Sequence, residues 1–339
     1  MLWHVVLLLL SLILLSGCTL KPAEAPFALA TALRPGVAQP AQALDRTRDD
    51  LLRERQETHA RWREAVTAAR ADYVDPVRVD PLLPSPAYVP PVWRQLDAAV
   101  RAEAASFAGR LSVTAIDLTT GDRYDFRPHD RYLPASTFKL PVTICTVEAI
   151  ERGELTWESL ITFTKPDDDT VGQGAFAWAE YGSQYTVRNL LDRSIISSNN
   201  VAVKMLARTL TWDGLKQCTA GMGGLITRTE AGSTAVTAGD EAAWWLAVWR
   251  MAQERPKVAE NLLTPLRAVT YTGRLQAGTP RPDLVTHKFG TFPPYENDGA
   301  IIWGEKPYVL VMMTATNDHY GVDAAFMRVA GAAWQSINN

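Results

Sequence analysis

The chain has little of what specialised chemistry or covalent stapling would need. Of its 339 residues only three are cysteine, Cys18, Cys145 and Cys218, too few for a disulfide framework and without the paired spacing of a zinc site. Cys145 and Cys218 therefore read as small buried hydrophobes. The five histidines stand singly and no HExxH occurs, so metal catalysis has no evident ligand set. His129 and His287 have no partner that the sequence identifies. Net charge is small, -3, and no basic cluster stands out, which argues against a surface built to replace counterions around nucleic-acid phosphates. What the chain does have is apolar residue, 47%, enough for one large domain or two smaller ones with real cores.

Residues 5–15, VVLLLLSLILL, form an apolar run of signal-peptide length, too short to anchor comfortably across a bilayer. It ends in LSGC, Leu15 to Cys18, which resembles the lipobox of bacterial lipoproteins, although the leader MLWH carries no lysine or arginine. That resemblance implies cleavage before Cys18, lipidation of Cys18 and an extracytoplasmic protein tethered to the cell membrane. A tether makes the monomer the default expectation. Residues 19–43 are an Ala- and Pro-rich spacer, and 44–70 are strongly helix-forming and charged with a narrow apolar stripe. Six prolines in 71–91 cannot sustain a helix. The expected division is a signal at 1–17, a spacer with its charged helix at 18–91, and the main domain at 92–339.

Within that domain a helix is expected over about 92–107, then a hairpin at 110–127 turning at Thr119-Thr120-Gly121. Residues 132–260 read mostly as helices, with Thr186 and Asp240 placed to cap two of them. Strands return at 283–290, 299–304 and 308–315, the last two joined by Gly304-Glu305-Lys306-Pro307, and a helix closes the chain at 322–337. Two early strands and three late ones around a helical insertion predict an α/β fold of the α+β kind. Its core would be a five-stranded antiparallel sheet flanked by helices, with an inserted all-helical subdomain and the active site between them.

Three short stretches could carry chemistry. In STFK, Ser136 and Lys139 lie one helical turn apart at the head of an apolar run, where a desolvated lysine can take a serine proton. In SIISSNNVAVKML, Ser198 and Asn200 are polar residues in an apolar helical context, with an N-cap at Asn199 as the plain structural alternative. In THKFGT, Lys288 offers charge at a strand end, and Gly290 lets backbone approach a ligand. The aromatic residues Trp244, Trp245 and Trp249 read as core packing. The run KPDDDT at 165–170 lacks the alternation of a calcium loop and reads as solvated.

The order STFK, SNN, KFG and the surroundings of each motif resemble the penicillin-recognising serine hydrolases, which include class A β-lactamases and D-alanyl-D-alanine peptidases, over about 92–338. The resemblance implies Ser136 as nucleophile, Lys139 as its base partner and Ser198 as the relay to the leaving nitrogen. It also implies Asn200 as a substrate amide contact, Lys288 as the strand lysine supporting carboxylate and relay, and the N–H groups of Ser136 and Thr291 as oxyanion hole. Phe176 or Trp178 would form a cleft wall. No cofactor is implied.

Three positions depart from the family pattern. The glutamate of an ExxLN loop, which activates the deacylating water in class A enzymes, has no counterpart motif in 221–243, where Glu230 is the sole nearby substitute. Phe289 stands where the family usually has a threonine or serine, leaving Thr291 as the neighbouring hydroxyl, and Asn199 replaces an aspartate. The expected activity is therefore a serine hydrolase acylated by a β-lactam or related amide. A D-alanyl-D-alanine carboxypeptidase or related cell-wall hydrolase is the alternative if deacylation is slow, and a lipid-anchored sensor without turnover is a third.

Overall fold

The computed structural model describes residues 88–169, 176, 179–228, 234–318 and 321–338, all within one unit of the chain. The expected signal, Cys18 and the spacer with its charged helix as far as residue 87 lie outside the described residues, as do Trp178 and Glu230.

Helix α1 (Arg94–Ser106) leads into β1 (Gly109–Asp117) and β2 (Arg123–Phe126). The late strands are β7 (Val285–Phe292), β8 (Tyr295–Ile302) and β9 (Tyr308–Thr316), in one antiparallel sheet of order β2-β1-β9-β8-β7. The ends of the domain meet as the pattern predicts: Val113 lies opposite Met312 on one side and Phe126 on the other. Strand β9, YVLVMMTAT, is buried nearly throughout, because both sheet faces are covered and alternation is no longer needed. On one face Trp93, Leu96, Leu310, Phe326 and Val329 join α1 and the last helix, α9 (Val322–Asn338), to the sheet. On the other, Val309, Val311 and Met313 pack beneath the helical block. Strand β8 starts four residues earlier than expected from sequence, and the added residues include buried Glu296, Asn297 and Asp298. Polar side chains there hid the strand from an apolar-run criterion.

Two short strands, β3 (Leu160–Thr162) and β4 (Gln184–Thr186), pair within the helical block. Its helices are α2 (Lys139–Glu151), α3 (Val187–Ile196), α4 (Asn200–Leu210), α5 (Trp212–Gly221), α6 (Ala238–Glu254) and α7 (Pro256–Arg267). Helix α2, KLPVTICTVEAIE, is buried on nearly every side and forms the centre of the block. Caps set the helix starts. Thr186 accepts from Asn189 N at 3.2 Å, and Asn199 accepts from Ala202 N at 2.9 Å. Asp240 is not the cap of α6; Thr237 is, and Asp240 answers from the third position by accepting from Thr237 N at 2.8 Å, completing a capping box. Trp244 and Trp245 are fully buried, and Trp249 stacks on Trp303 at 5.4 Å. The short pair β5 (Thr227–Arg228) and β6 (Thr234–Ala235) and helix α8 (Arg274–Gly278) complete the described elements.

The reading of Cys145 and Cys218 as free buried hydrophobes is corrected: they form a disulfide joining α2 to α5 across 73 residues of sequence. Two cysteines in different helices carry no spacing signal, so only the packing brings them together. Closing a loop of that length restricts the unfolded chain by about 4 kcal/mol in the chain-entropy model. Cys218→Ser should therefore lower the urea midpoint by the equivalent of about 2–4 kcal/mol, and reductant should lower the wild type but not the variant; an unchanged midpoint would contradict the link.

Candidate active site

Ser136 lies in a 3-10 turn, Ala135–Phe138, that runs straight into α2, so Lys139 opens the helix one turn after it. Lys139 Nζ is 2.7 Å from Ser136 Oγ, 2.7 Å from Asn200 Oδ1, 2.8 Å from the Ser198 carbonyl and 3.1 Å from Ser198 Oγ. An ammonium has three hydrogens for these four oxygens. A neutral amine has two hydrogens and a lone pair that can accept from a hydroxyl. Burial, then the nearby Lys288 charge, lowers the Lys139 pKa to about 7, with Asp169 acting in the other direction.

Ser198 sits at the break between α3 and α4 with φ of 52°, a left-handed conformation uncommon for a residue with a Cβ. That backbone aims Oγ between two amines: 3.1 Å from Lys139 Nζ and 3.2 Å from Lys288 Nζ. Lys288 is fully buried on β7, donates to the Phe289 carbonyl at 2.9 Å and lies 4.3 Å from the Phe289 ring centroid. Burial lowers its pKa to about 7 too, opposed by Asp298 and Glu241 and reinforced by Arg274.

Strand β7 meets the serine turn at Gly290. A Cβ there would lie 2.6 Å from the Pro134 carbonyl, 2.7 Å from Thr137 N and 2.8 Å from Ser136 N, so only glycine permits the approach. The same turn is held from β8, where Asn297 Nδ2 donates to the carbonyls of Leu133 at 2.9 Å and Pro134 at 3.2 Å. A cleft of about 310 Å³ opens between sheet and helices, and Ser136, Lys139, Asn200 and Thr291 are on its wall. Ser198 and Lys288 stand behind that wall and reach it through Lys139.

Other sequence readings fare differently. Phe176 is 2% exposed, packed on Phe163 and Tyr185 with ring centroids at 6.0 and 4.7 Å, so it belongs to the helical core and not to the cleft. Phe138 and Phe292 supply the apolar cleft wall instead. Phe289 turns away to stack on Tyr271 at 4.4 Å. Glu230 lies outside the described residues. The aspartate run is no free solvated loop: Asp167 is held by Arg208 at 2.7 Å, and Asp169 by Lys204 at 2.9 Å, which puts Asp169 on the cleft wall. His287 has partners after all, Asp298 at 3.1 Å and the Tyr271 carbonyl at 3.0 Å.

Arg274 escaped sequence reading because nothing in YTGRLQAG marks it. Its buried guanidinium donates to Thr291 Oγ1 at 2.9 Å, the Gly290 carbonyl at 3.0 Å and the Asn297 carbonyl at 2.8 Å, and it also pairs with Glu296 and Asp323. One cation thus fixes β7 to β8 beside the cleft and orients the Thr291 hydroxyl.

This arrangement can deprotonate a serine without metal or histidine, using a neutral amine at 2.7 Å and a second hydroxyl as relay. The rate of Ser136 acylation should rise with pH through a midpoint near 7, because the base form of Lys139 must exist first; stopped-flow acylation between pH 5 and 9 checks it. A flat acid limb would remove Lys139 from that role.

The sequence matches the family described as "Beta-lactamase enzyme family" over residues 93–337. None of the curated protein sequences matches it. Among solved structures it is similar to PBP-A, including a mutant captured as an acyl-enzyme complex with penicillin G, at 20% identity and TM-score 0.66, covering 75% of this chain and 98% of that one. It is similar to a beta lactamase from Xanthomonas campestris pv. campestris at 24% identity and TM-score 0.63, covering 73% of this chain and 99% of the other. A beta-lactamase from Sphaerobacter thermophilus matches at 21% identity and TM-score 0.65, over 73% and 97%. With the family match spanning most of the chain and a fold shared with these structures, the chain belongs to the beta-lactamase enzyme family of serine hydrolases.

Proposed function

We propose that the protein is acylated at Ser136 by a β-lactam or related amide and that water then hydrolyses the ester. The observation that carries this reading is the 2.7 Å separation of Lys139 Nζ from Ser136 Oγ, with Ser198 bridging to Lys288. Lys139 takes the Ser136 proton as Oγ attacks the carbonyl carbon. The developing oxyanion is received by the N–H groups of Ser136 and Thr291, which the Gly290 approach brings to one side. The C–N bond breaks as Ser198 passes its proton to the leaving nitrogen and is reprotonated from the lysine pair. Asn200 meets the substrate amide, and the Thr291 hydroxyl, held by Arg274, stands in for the hydroxyl that Phe289 lacks.

A second reading rests on the stretch 221–243, which has no ExxLN glutamate. On that reading the protein is a D-alanyl-D-alanine carboxypeptidase or a penicillin-binding cell-wall hydrolase whose β-lactam ester persists. Among the described residues the cleft does present one carboxylate, Asp169, which is engaged in an ion pair with Lys204 at 2.9 Å.

We also place the protein outside the cytoplasm, lipid-anchored through Cys18 and monomeric. The Cys145–Cys218 disulfide supports an oxidising compartment.

Mass spectrometry of the protein mixed with a penicillin, followed from seconds to hours, tests both readings. Acylation is expected in the wild type and absent in Ser136→Ala. Fast drug loss with little standing adduct marks a β-lactamase. An adduct lasting hours, together with release of D-alanine from a peptidoglycan-like peptide, marks the peptidase. No adduct and no drug loss would overturn the proposal.

A further inference from the structure

Among the described residues, the charged side chains on the cleft wall are Lys139, Asp169 and Lys204. Lys139 serves the serine, but the ion pair of Asp169 and Lys204, 2.9 Å apart, has no part in that chemistry. Helical spacing explains why Lys204 is there. Asn200, Val203 and Lys204 stand at positions i, i+3 and i+4 of α4, so they share one face, and all three line the cleft. Asn200 marks the end of that face nearest the serine, with Oδ1 2.7 Å from Lys139 Nζ. Lys204 lies one turn farther along the axis, about 5 Å away by the helix pitch.

The fold does not need this pair to tie segment 165–169 to α4. Arg208, one turn beyond Lys204, already does so: its guanidinium donates to the Asp167 carboxylate at 2.7 and 2.9 Å and to the Thr162 carbonyl at 2.8 Å. The Asp167 side chain is 2% exposed and also accepts from Thr164 N at 2.8 Å and Thr164 Oγ1 at 2.6 Å. The pair on the cleft wall is of the opposite kind, with side chains 20% exposed at Asp169 and 44% at Lys204. Ion pairs open to solvent add little to stability. Anchorage at Asp167 presents Asp169 to the cleft on a fixed backbone, and Lys204 Nζ is steadied by donating to the Asp168 carbonyl at 3.2 Å. Those two contacts leave one of the three hydrogens of the ammonium for a ligand.

We propose that Asp169 and Lys204 form the charged end of the substrate site and select an acyl substituent that ends in a zwitterion, an ammonium and a carboxylate on one carbon as in an amino acid. A carboxylate set against Lys204 and an ammonium set against Asp169 complete a square of alternating charge without breaking the pair. A substituent with a single charge is attracted by one member and repelled by the other, so it gains little. The wall between the serine and the pair carries Phe138 and Val203, which suits a short methylene chain. The chemical class is therefore an acyl donor, β-lactam or amide, whose aliphatic side chain carries a terminal amino acid group. The consequence for rate rests on the acylation reading above; the charge selection itself is also read from binding.

Four penicillins of equal acyl length test it: hexanoyl, adipoyl, aminohexanoyl and aminoadipoyl, whose chain ends carry no charge, a carboxylate, an ammonium and both. Second-order acylation of the full-length protein should be about tenfold faster with the aminoadipoyl than with the hexanoyl compound, and the singly charged compounds should stay within about threefold of the latter. In Lys204→Met the aminohexanoyl compound should become the best substrate and the adipoyl compound the worst. Asp169→Asn should reverse that order. Each comparison is a ratio between substrates within one protein, so any change at Lys139, whose charge Asp169 influences, divides out. A pair that only ties the loop to α4 would shift all four compounds alike. Equal rates for the four in the wild type, or ratios that neither variant changes, overturn the proposal; if one variant folds poorly, the other decides. Calorimetric affinities of the same compounds for Ser136→Ala separate this inference from the acylation reading. The expected ranking in binding, with no acylation of the wild type, sinks the acylation reading alone, whereas no ranking in either readout sinks the charge selection.

Discussion

Two amines held out of water around one hydroxyl set the terms for the rest of this structure. Lys139 and Lys288 both reach Ser198 Oγ, and among the described residues neither has a carboxylate as direct ion-pair partner. Removing an ammonium from water costs several kcal/mol, and two such cations near one another repel. The pair is affordable only with less than its full charge, which is the state a serine needs from a neighbouring base. On the proposed reading, the desolvation that makes the pair costly is also the source of its reactivity.

Much of the architecture keeps that arrangement in place. Helix α2 is buried all round and carries Lys139 into the site at its first turn. The left-handed backbone at Ser198 and the caps at Thr186 and Asn199 break α3 from α4 where the hydroxyl is wanted. Gly290 removes the side chain that would keep β7 from the serine turn, and Asn297 ties that turn to β8. Arg274 clamps the two strands through two carbonyls and a hydroxyl. Each contribution is modest alone, but each limits how far the oxygens around Lys139 can drift, and catalytic groups tolerate little drift.

Around Lys288 the buried polar groups lie on both faces of the sheet: Glu241 of α6 is on the face of Lys288 and Gly299, while His287 and Asp298 pair on the opposite face. Such buried polar groups are expensive unless satisfied, and these lie on β7, which carries the second lysine, and on β8 and α6, which pack against it. The remaining core, from Leu111 and Leu310 to Val248 and Leu262, is conventional apolar packing and supplies the stability against which this cost is set.

The order of elements, the meeting of early and late strands, and the Ser136, Lys139, Ser198, Asn200 and Lys288 constellation were legible in the sequence, because they rest on local periodicity and on short motifs. Caps at Thr186 and Asn199 were legible for the same reason. Everything that depended on distant residues meeting was not. The disulfide, the ties of the aspartate run to α4, the burial of Phe176, the Arg274 clamp and the notch that pairs Glu241 with Gly299 arise from side chains far apart in the chain. No local propensity encodes such meetings. The sequence by itself determined which groups could do chemistry and roughly which elements bear them; the tertiary structure alone decided which charges face each other without water between them, since desolvation and Coulomb interaction depend on distance in space and not along the chain.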